Sequence, residues 1–341
     1  MKNRPFVLSN VEIQPGERVT LALPTPQIYT CAPLHIPMHV IHGKKAGPVL
    51  VVCGTFYGDE INGISIIKRL LQLSSVKALH GTLIAIPVIN VYGLINRTRL
   101  LPDGHDLMNS FPGVEQGSFA SRLAYLIYHE VLHQCSHSLI IRTGGPHHYK
   151  VPHVYYQKDD QESKRLASVF GAPAIQSLKN LDDIFSMKQR SPSHTTLMYE
   201  GGEAHRPDEW TVRLGVKGIL NVLRELKMLR AKAESKKPPR PPSEIATSHW
   251  VRASGSGLYH FQEKLGSWVE EGQQLGIITD PFGTEQTYKI IAPEEGIITG
   301  INTHTLVYEG QGIIQLGAGT NLQEPNFPTI EGFQHPEPGA V

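Results

Sequence analysis

Long apolar runs are absent: nothing in the 341 residues approaches the ~18 consecutive apolar side chains of a membrane-spanning helix. The opening stretch MKNRPFVLSN also lacks the apolar centre of a secretion signal, so a soluble, cytoplasmic protein is expected. Cysteine is scarce. Cys31, Cys53 and Cys135 are too few and too scattered for a disulfide framework, no C-x-x-C pair suggests a zinc knuckle or redox centre, and small buried apolar side chains are expected instead. Charge of one sign is lacking too, since 32 Lys+Arg against 31 Asp+Glu leave a net +1. That balance argues against a nucleic-acid or membrane-surface partner. What remains is ample: 40% hydrophobic residues supply a core, and 32 Gly with 25 Pro supply many turns. At roughly 100–200 residues per domain, two domains are expected.

The first 45 residues alternate prolines with short β-prone runs at 18–23 and 38–41, which read as edge strands and turns. Residues 48–53 are a continuous apolar run, the mark of a strand buried on both faces. After it, Ile64, Ile67, Leu70 and Leu71 recur at helical spacing and predict a helix over 61–73. A second buried strand over 82–89 leads into a loop at 90–117 rich in Gly, Pro, Asn and Asp, and loops of that length inside a domain are usually functional. A helix is expected at 119–134, a strand at 138–142, a helix at 161–170, a strand at 195–200 and a helix at 209–229. Such alternation predicts an α/β domain over residues 1–232 with a largely parallel sheet. Residues 233–247 are charged and then Pro-rich, a stiff linker by composition. Gly-punctuated short strands follow over 248–318, a small all-β module, and 319–341 read as a Pro/Gly-rich tail.

The stretches Gly54-Thr-Phe-Tyr-Gly-Asp-Glu-Ile-Asn-Gly63, Asn96-Arg-Thr-Arg-Leu-Leu-Pro-Asp-Gly-His-Asp-Leu-Met-Asn-Ser-Phe-Pro-Gly113 and Glu200-Gly-Gly-Glu203 resemble the succinylglutamate desuccinylase/aspartoacylase family of zinc carboxypeptidase-like amidohydrolases. The resemblance spans nearly the whole chain. It implies a mixed, largely parallel sheet flanked by helices, closed by a C-terminal β barrel of biotinyl/lipoyl type. It implies a zinc cofactor, hydrolysis of amide bonds, and an N-acyl amino acid as the small-molecule partner; self-assembly into a homo-oligomer is left open.

The same resemblance exposes departures. The family's first metal motif, His-x-x-Glu, aligns with Tyr57-Gly-Asp-Glu60, and its later histidine ligand aligns with Arg142, so only Glu60 matches. Zinc takes neutral imidazoles and carboxylates at about 2.0–2.2 Å. A tyrosine would have to ligate as phenolate, from a reference pKa near 10, and an arginine has no lone pair to give. The substrate-gripping Asp-Leu-Asn-Arg aligns with Asp106-Leu-Met-Asn109, which puts Met108 and Asn109 where the family binds substrate and its carboxylate. A neutral amide does not replace a bidentate guanidinium. Arg99 and the general-base position Glu200 are retained.

Each residue also has a plain structural role to be weighed. Glu60 and Asp59 precede a helix, where carboxylates are favoured by ~0.3–1 kcal/mol without any metal. Arg142 is then expected to pair with Glu60 or Glu200 where the metal would stand. His129, His133 and His137 recur at fourfold spacing and read as an exposed or interface face, whereas His147 and His148 are the candidates for replacement ligands. The turn 280–285 carries no lysine, so the C-terminal module is not expected to be a swinging-arm carrier. The two expectations are a catalytically impaired small-molecule binder or regulatory homologue with no cofactor, and a metal-dependent amidohydrolase with Glu200 as general base. A third places Tyr57 as a proton donor for new chemistry.

Overall fold

A computed structural model describes residues 3–29, 34–181, 194–231, 241–284, 286–319 and 322. The leader forms a hairpin of β1 (Phe6–Leu8) and β2 (Val11–Ile13), then β3 (Arg18–Pro24) and β4 (His35–His42). The α/β part follows as β5 (Val49–Gly54), α1 (Ile61–Gln72), β6 (Thr82–Ile86), α2 (Val91–Asn96), α3 (Phe119–Glu130), β7 (His137–Gly144), β8 (His148–Gln157), α4 (Gln161–Phe170), β9 (Ala174–Leu178), β10 (Thr195–Glu203) and α5 (Glu209–Glu225). The remainder is β: β11 (Ser243–Ile245), β12 (Thr247–Arg252), β13 (Gly257–Phe261), β14 (Trp268–Val269), β15 (Gln274–Thr279), β16 (Thr287–Ile291), β17 (Gly296–Asn302), β18 (Leu306–Val307) and β19 (Gly312–Ala318).

The main sheet runs β12-β19-β17-β8-β10-β7-β5-β6-β4-β3, with β9 branching from β8, β11 from β9 and β14 from β17. Its centre, β6-β5-β7-β10, is parallel, as the continuous apolar runs require, and its flanks are antiparallel. One apolar cluster, holding Val51, Cys53, Ile140 and Met198, packs with α3 on one face. A second, holding Val52, Leu139, Ile141 and Tyr199, packs with α1, α4 and α5 on the other. Alternate residues of each strand thus serve opposite layers, a period of two. Cys53 and Cys135 are buried free thiols as expected, whereas Cys31 lies outside the described residues.

Several sequence expectations need correction. The loop expected at 90–117 contains α2 and a single 3-10 turn at Met108–Ser110, because Asn90 caps α2 by accepting from the Gly93 amide at 2.7 Å. The helix expected at 119–134 stops at Glu130, so His129 on α3, His133 in a 3-10 turn and His137 in β7 do not share one helical face. Within the expected linker, Ser243–Ile245 is β11, parallel to β9. Of the expected tail, Gly319 and Leu322 are described, and the rest lies outside the described residues. The C-terminal strands form a second sheet, β16-β15-β13-β18, but β17 also pairs antiparallel with β8, joining the module to the main sheet.

Candidate functional site

The carboxyl end of β5 turns through 55–60 into α1, and the turn is tight because Gly54 and Gly63 nearly touch. A Cβ on Gly54 would lie 3.2 Å from the Gly63 Cα. Glu60 ends this turn at the N-cap position of α1, yet its side chain makes no cap. It points instead at β7, where Arg142 Nε donates to Glu60 Oε1 at 2.5 Å, while the Tyr57 amide donates to Oε2 at 3.2 Å. The expectation that a helix start alone explains Glu60 is therefore corrected in favour of the Arg142 pair.

Register sets the rest. Across the parallel pair β10 and β7, Glu200 stands beside Arg142, and across β10 and β8 it stands beside His153. Paired residues on neighbouring strands share a face about 5 Å apart, so Arg142, Glu200 and His153 form one row. A register shift follows between Glu200 and Glu203 in β10. Gly202 permits it at φ +74°, where a Cβ would lie 2.8 Å from the Asn62 amide nitrogen.

Around the row, Tyr155 donates to Glu200 Oε2 at 3.2 Å and His153 Nε2 lies 3.5 Å from the same oxygen. His153 Nδ1 faces the Val151 carbonyl at 2.7 Å, so both ring nitrogens meet acceptors. Lys150 is buried, donates to Gln315 of β19 and sits 5.1 Å from the Trp250 ring centroid. At the outer side, Arg142 Nη1 donates to the Met108 sulfur at 3.0 Å. The Tyr57 ring carries two guanidinium groups, Arg99 at 4.0 Å and Arg142 at 4.5 Å from its centroid, and its hydroxyl donates to Asp106 at 2.6 Å. Arg99 also lies 3.7 Å from Asp59.

Burial and charge work against each other here. Burial pushes the Glu60 carboxyl above its ordinary range, opposed by the Arg142 guanidinium. Burial alone would lower Arg142, but Glu60 and Glu200 carry it above its usual value. Burial would likewise raise Glu200, yet His153, Lys150 and Arg142 together hold it down to about 2. Burial lowers Lys150, and burial with the bond to Asp106 raises Tyr57, so its phenol keeps its proton at neutral pH.

The Glu200 shift has a measurable consequence. A carboxylate whose folded pKa is depressed adds stability above its unfolded pKa, and that stability is lost as pH falls toward the folded value. From 4.5 to about 2, at 1.36 kcal/mol per pKa unit, the effect is at most about 3 kcal/mol. Denaturant midpoints of the wild type and Glu200→Gln should therefore converge between pH 4.5 and pH 2. A gap independent of pH would mean that Glu200 is not held ionised by its neighbours.

Of the residues singled out in the sequence, Tyr57, Glu60, Arg99, Met108, Arg142 and Glu200 converge. Asn109 does not: it is exposed, and its backbone amide reaches Asp106 Oδ1 at 3.4 Å. His147 packs at a tilt against His304 at 4.8 Å and His148 packs edge-on to Trp250 at 4.9 Å, so neither joins Glu60. Among the described residues no group of three or more His, Cys, Asp or Glu side chains is placed to hold a metal ion. Lys150, His153 and Tyr155 were missed because Pro152 interrupts β8 and hides it as a strand. The signal available was His153 and Tyr155 two residues apart, on one face of an extended segment.

A family model, the succinylglutamate desuccinylase/aspartoacylase catalytic domain, matches residues 46–226. The N-alpha-acetyl-L-2,4-diaminobutyric acid deacetylase of Halomonas elongata is 24% identical over 256 residues, 72% of this chain and 74% of that protein. A succinylglutamate desuccinylase/aspartoacylase from Rhodobacter sphaeroides superposes with a TM-score of 0.77 at 22% identity, covering 89% of this chain and 96% of that one. The product-bound ectoine utilization protein EutE (DoeB) of Ruegeria pomeroyi superposes with 0.74 at 21% identity, covering 89% and 95%. The latter two likenesses concern the fold.

Proposed function

The chain belongs to the succinylglutamate desuccinylase/aspartoacylase family, and on that premise we propose that it binds a small molecule in the family pocket without zinc hydrolysis, as a catalytically impaired or regulatory homologue. The observation that carries this reading is the Arg142–Glu60 contact of 2.5 Å. Both oxygens of Glu60 are engaged by N–H donors, Tyr57 keeps its phenolic proton for Asp106, and Arg142 offers only donors. Such a set repels a divalent cation, so the residues present do not fit zinc.

The ligand is an N-acyl amino acid or a similar small carboxylate. Arg99, with its side chain 35% exposed above Tyr57, is the cation placed to meet the carboxylate, and Met108 supplies an apolar contact. The C-terminal module, which we read as a β barrel of biotinyl type, limits access to the pocket. Lys150 bonding to Gln315, and Thr303 donating to Glu203 at 2.9 Å, support that role.

A second reading, amide hydrolysis with Glu200 as general base and a metal held in a non-standard way, is favoured by one relative being a deacetylase of an N-acetylated amino acid. The two are separated by assay. Elemental analysis after purification without added zinc should give far less than one equivalent. Hydrolysis of N-acetylaspartate, N-succinylglutamate and N-alpha-acetyl-L-2,4-diaminobutyrate should be undetectable. Loss of a single charge-stabilising donor costs about 10²–10³ in rate, and the departures here are several. Turnover that vanishes in Glu200→Gln would establish the hydrolase instead.

A further inference from the structure

At the opposite end of the sheet, where β5 and β6 begin, lies a cavity of about 690 Å³. Four separate chain segments build it, around Gly16, 42–45, 75–80 and 224–230, and backbone bonds fix them to one another. Gly43 N donates to Gly81 O at 2.8 Å, Gly81 N to Lys45 O at 2.8 Å, and His80 N to Met228 O at 2.8 Å. The approach is close enough that a Cβ on Gly43 would fall 2.0 Å from the Leu79 carbonyl oxygen. Onto this frame converge Lys44 and Lys45 before β5, Lys77 before β6, and Arg224 and Arg230 at and beyond the end of α5.

Among the described residues no aspartate or glutamate lines the cavity, and none of these five side chains forms an ion pair. In a chain with a net charge of only +1, five cations gathered without a counter-charge repel one another. Favourable interaction with a helix carboxyl end accounts for Arg224 on α5 and for Lys77 in the last turn of the 3-10 helix Ser74–Ala78; Lys44 and Lys45 have no such reason. The floor is apolar, formed by Ala78 and Leu229 over the buried Leu79 and Met228. A rim of cations over an apolar floor suits an organic molecule that carries several phosphate charges.

We propose that this cavity binds a phosphorylated small molecule of the nucleoside polyphosphate class, its phosphates held by Lys44, Lys45, Lys77, Arg224 and Arg230 and its apolar moiety seated on Ala78 and Leu229. The site is separate from the Glu60–Arg142 pocket and does not depend on how that pocket functions.

Isothermal titration at about 150 mM salt, where long-range attraction is screened, tests it with ATP, inorganic tripolyphosphate and citrate as probes. ATP should bind with one site per chain, tripolyphosphate more weakly because it leaves the apolar floor bare, and citrate least. Lys77→Glu with Arg230→Glu, both exposed changes with the fold checked by circular dichroism, should weaken ATP more than about tenfold. Arg122→Glu, an exposed charge reversal outside the cavity, should leave ATP binding unchanged. Absence of ATP binding up to about 1 mM, citrate binding as well as tripolyphosphate, or ATP affinity unaltered in the charge-reversed variant would each overturn the assignment.

Discussion

Replacing Tyr57 and Arg142 together by histidine should turn a protein that retains far less than one equivalent of zinc into one that keeps a full equivalent through dialysis. Tyr57 and Glu60 lie in one turn before α1, and Arg142 Nε reaches Glu60 Oε1 at 2.5 Å. With two imidazoles and the Glu60 carboxylate, the donor set becomes that of a catalytic zinc site with one position left open. Tyr57→His alone should gain little, since the Arg142 guanidinium still occupies Glu60 and opposes a divalent cation. Arg142→His alone supplies two donors at most. The double variant should therefore exceed the sum of the singles, as coupled neighbours do. Zinc titration with a competing chelator measures it. A double variant that folds and binds no zinc would show that the turn or β7 is displaced from family geometry, and the family roles given to Glu60, Arg142 and Glu200 would have to be withdrawn.

Hydrolysis should not return with the metal. Met108 contacts Arg142 through its sulfur, and Asn109 points to solvent, so neither grips a substrate carboxylate. Zinc retention without turnover is thus the expected pairing.

How far the site could be read in advance differs from strand to strand. The centre of the sheet was legible because β5 and β6 are short continuous apolar runs, the mark of a strand covered by helices on either side, and β7 and β10 keep apolar centres at 139–141 and 197–199. The Glu60, Arg142 and Glu200 cluster was legible because motifs in chain order fall at the ends of those strands. β8 was not, since Pro152 and the polar residues Lys150 and His153 break the apolar signature. Those polar residues are the ones that face Glu200, so the site chemistry itself erased the pattern. β11 was hidden for another reason. Its three residues follow a run of prolines, and pairing with β9 is a long-range contact that no local periodicity announces. The turn chemistry at Asn90 likewise mattered more than composition, which had suggested only loop.

Removing the charge of Arg142 without removing Glu60 should be among the most destabilising changes in the chain. Arg142→Met leaves Glu60, only 1% exposed, without its guanidinium partner. Breaking one half of a buried pair typically costs about 3–5 kcal/mol, whereas replacing both halves by neutral groups of similar volume is often nearly neutral. The variant Glu60→Gln/Arg142→Met should accordingly recover most of the loss, read as urea midpoints against the wild type. The pH dependence fixes the cause. Burial already raises the Glu60 carboxyl, and without Arg142 nothing comparable opposes it, so its folded pKa climbs further above the unfolded one. A group of that kind favours the folded state below its unfolded pKa, and the benefit is lost as pH rises through the folded value. Arg142→Met should therefore be nearest to the double variant at about pH 4, close to the ~4.3 of a free glutamate, and fall away from it toward pH 8. If the two variants are equally unstable at every pH, the loss stems from packing around Met108 and Tyr57. The buried pair would then be incidental to the fold.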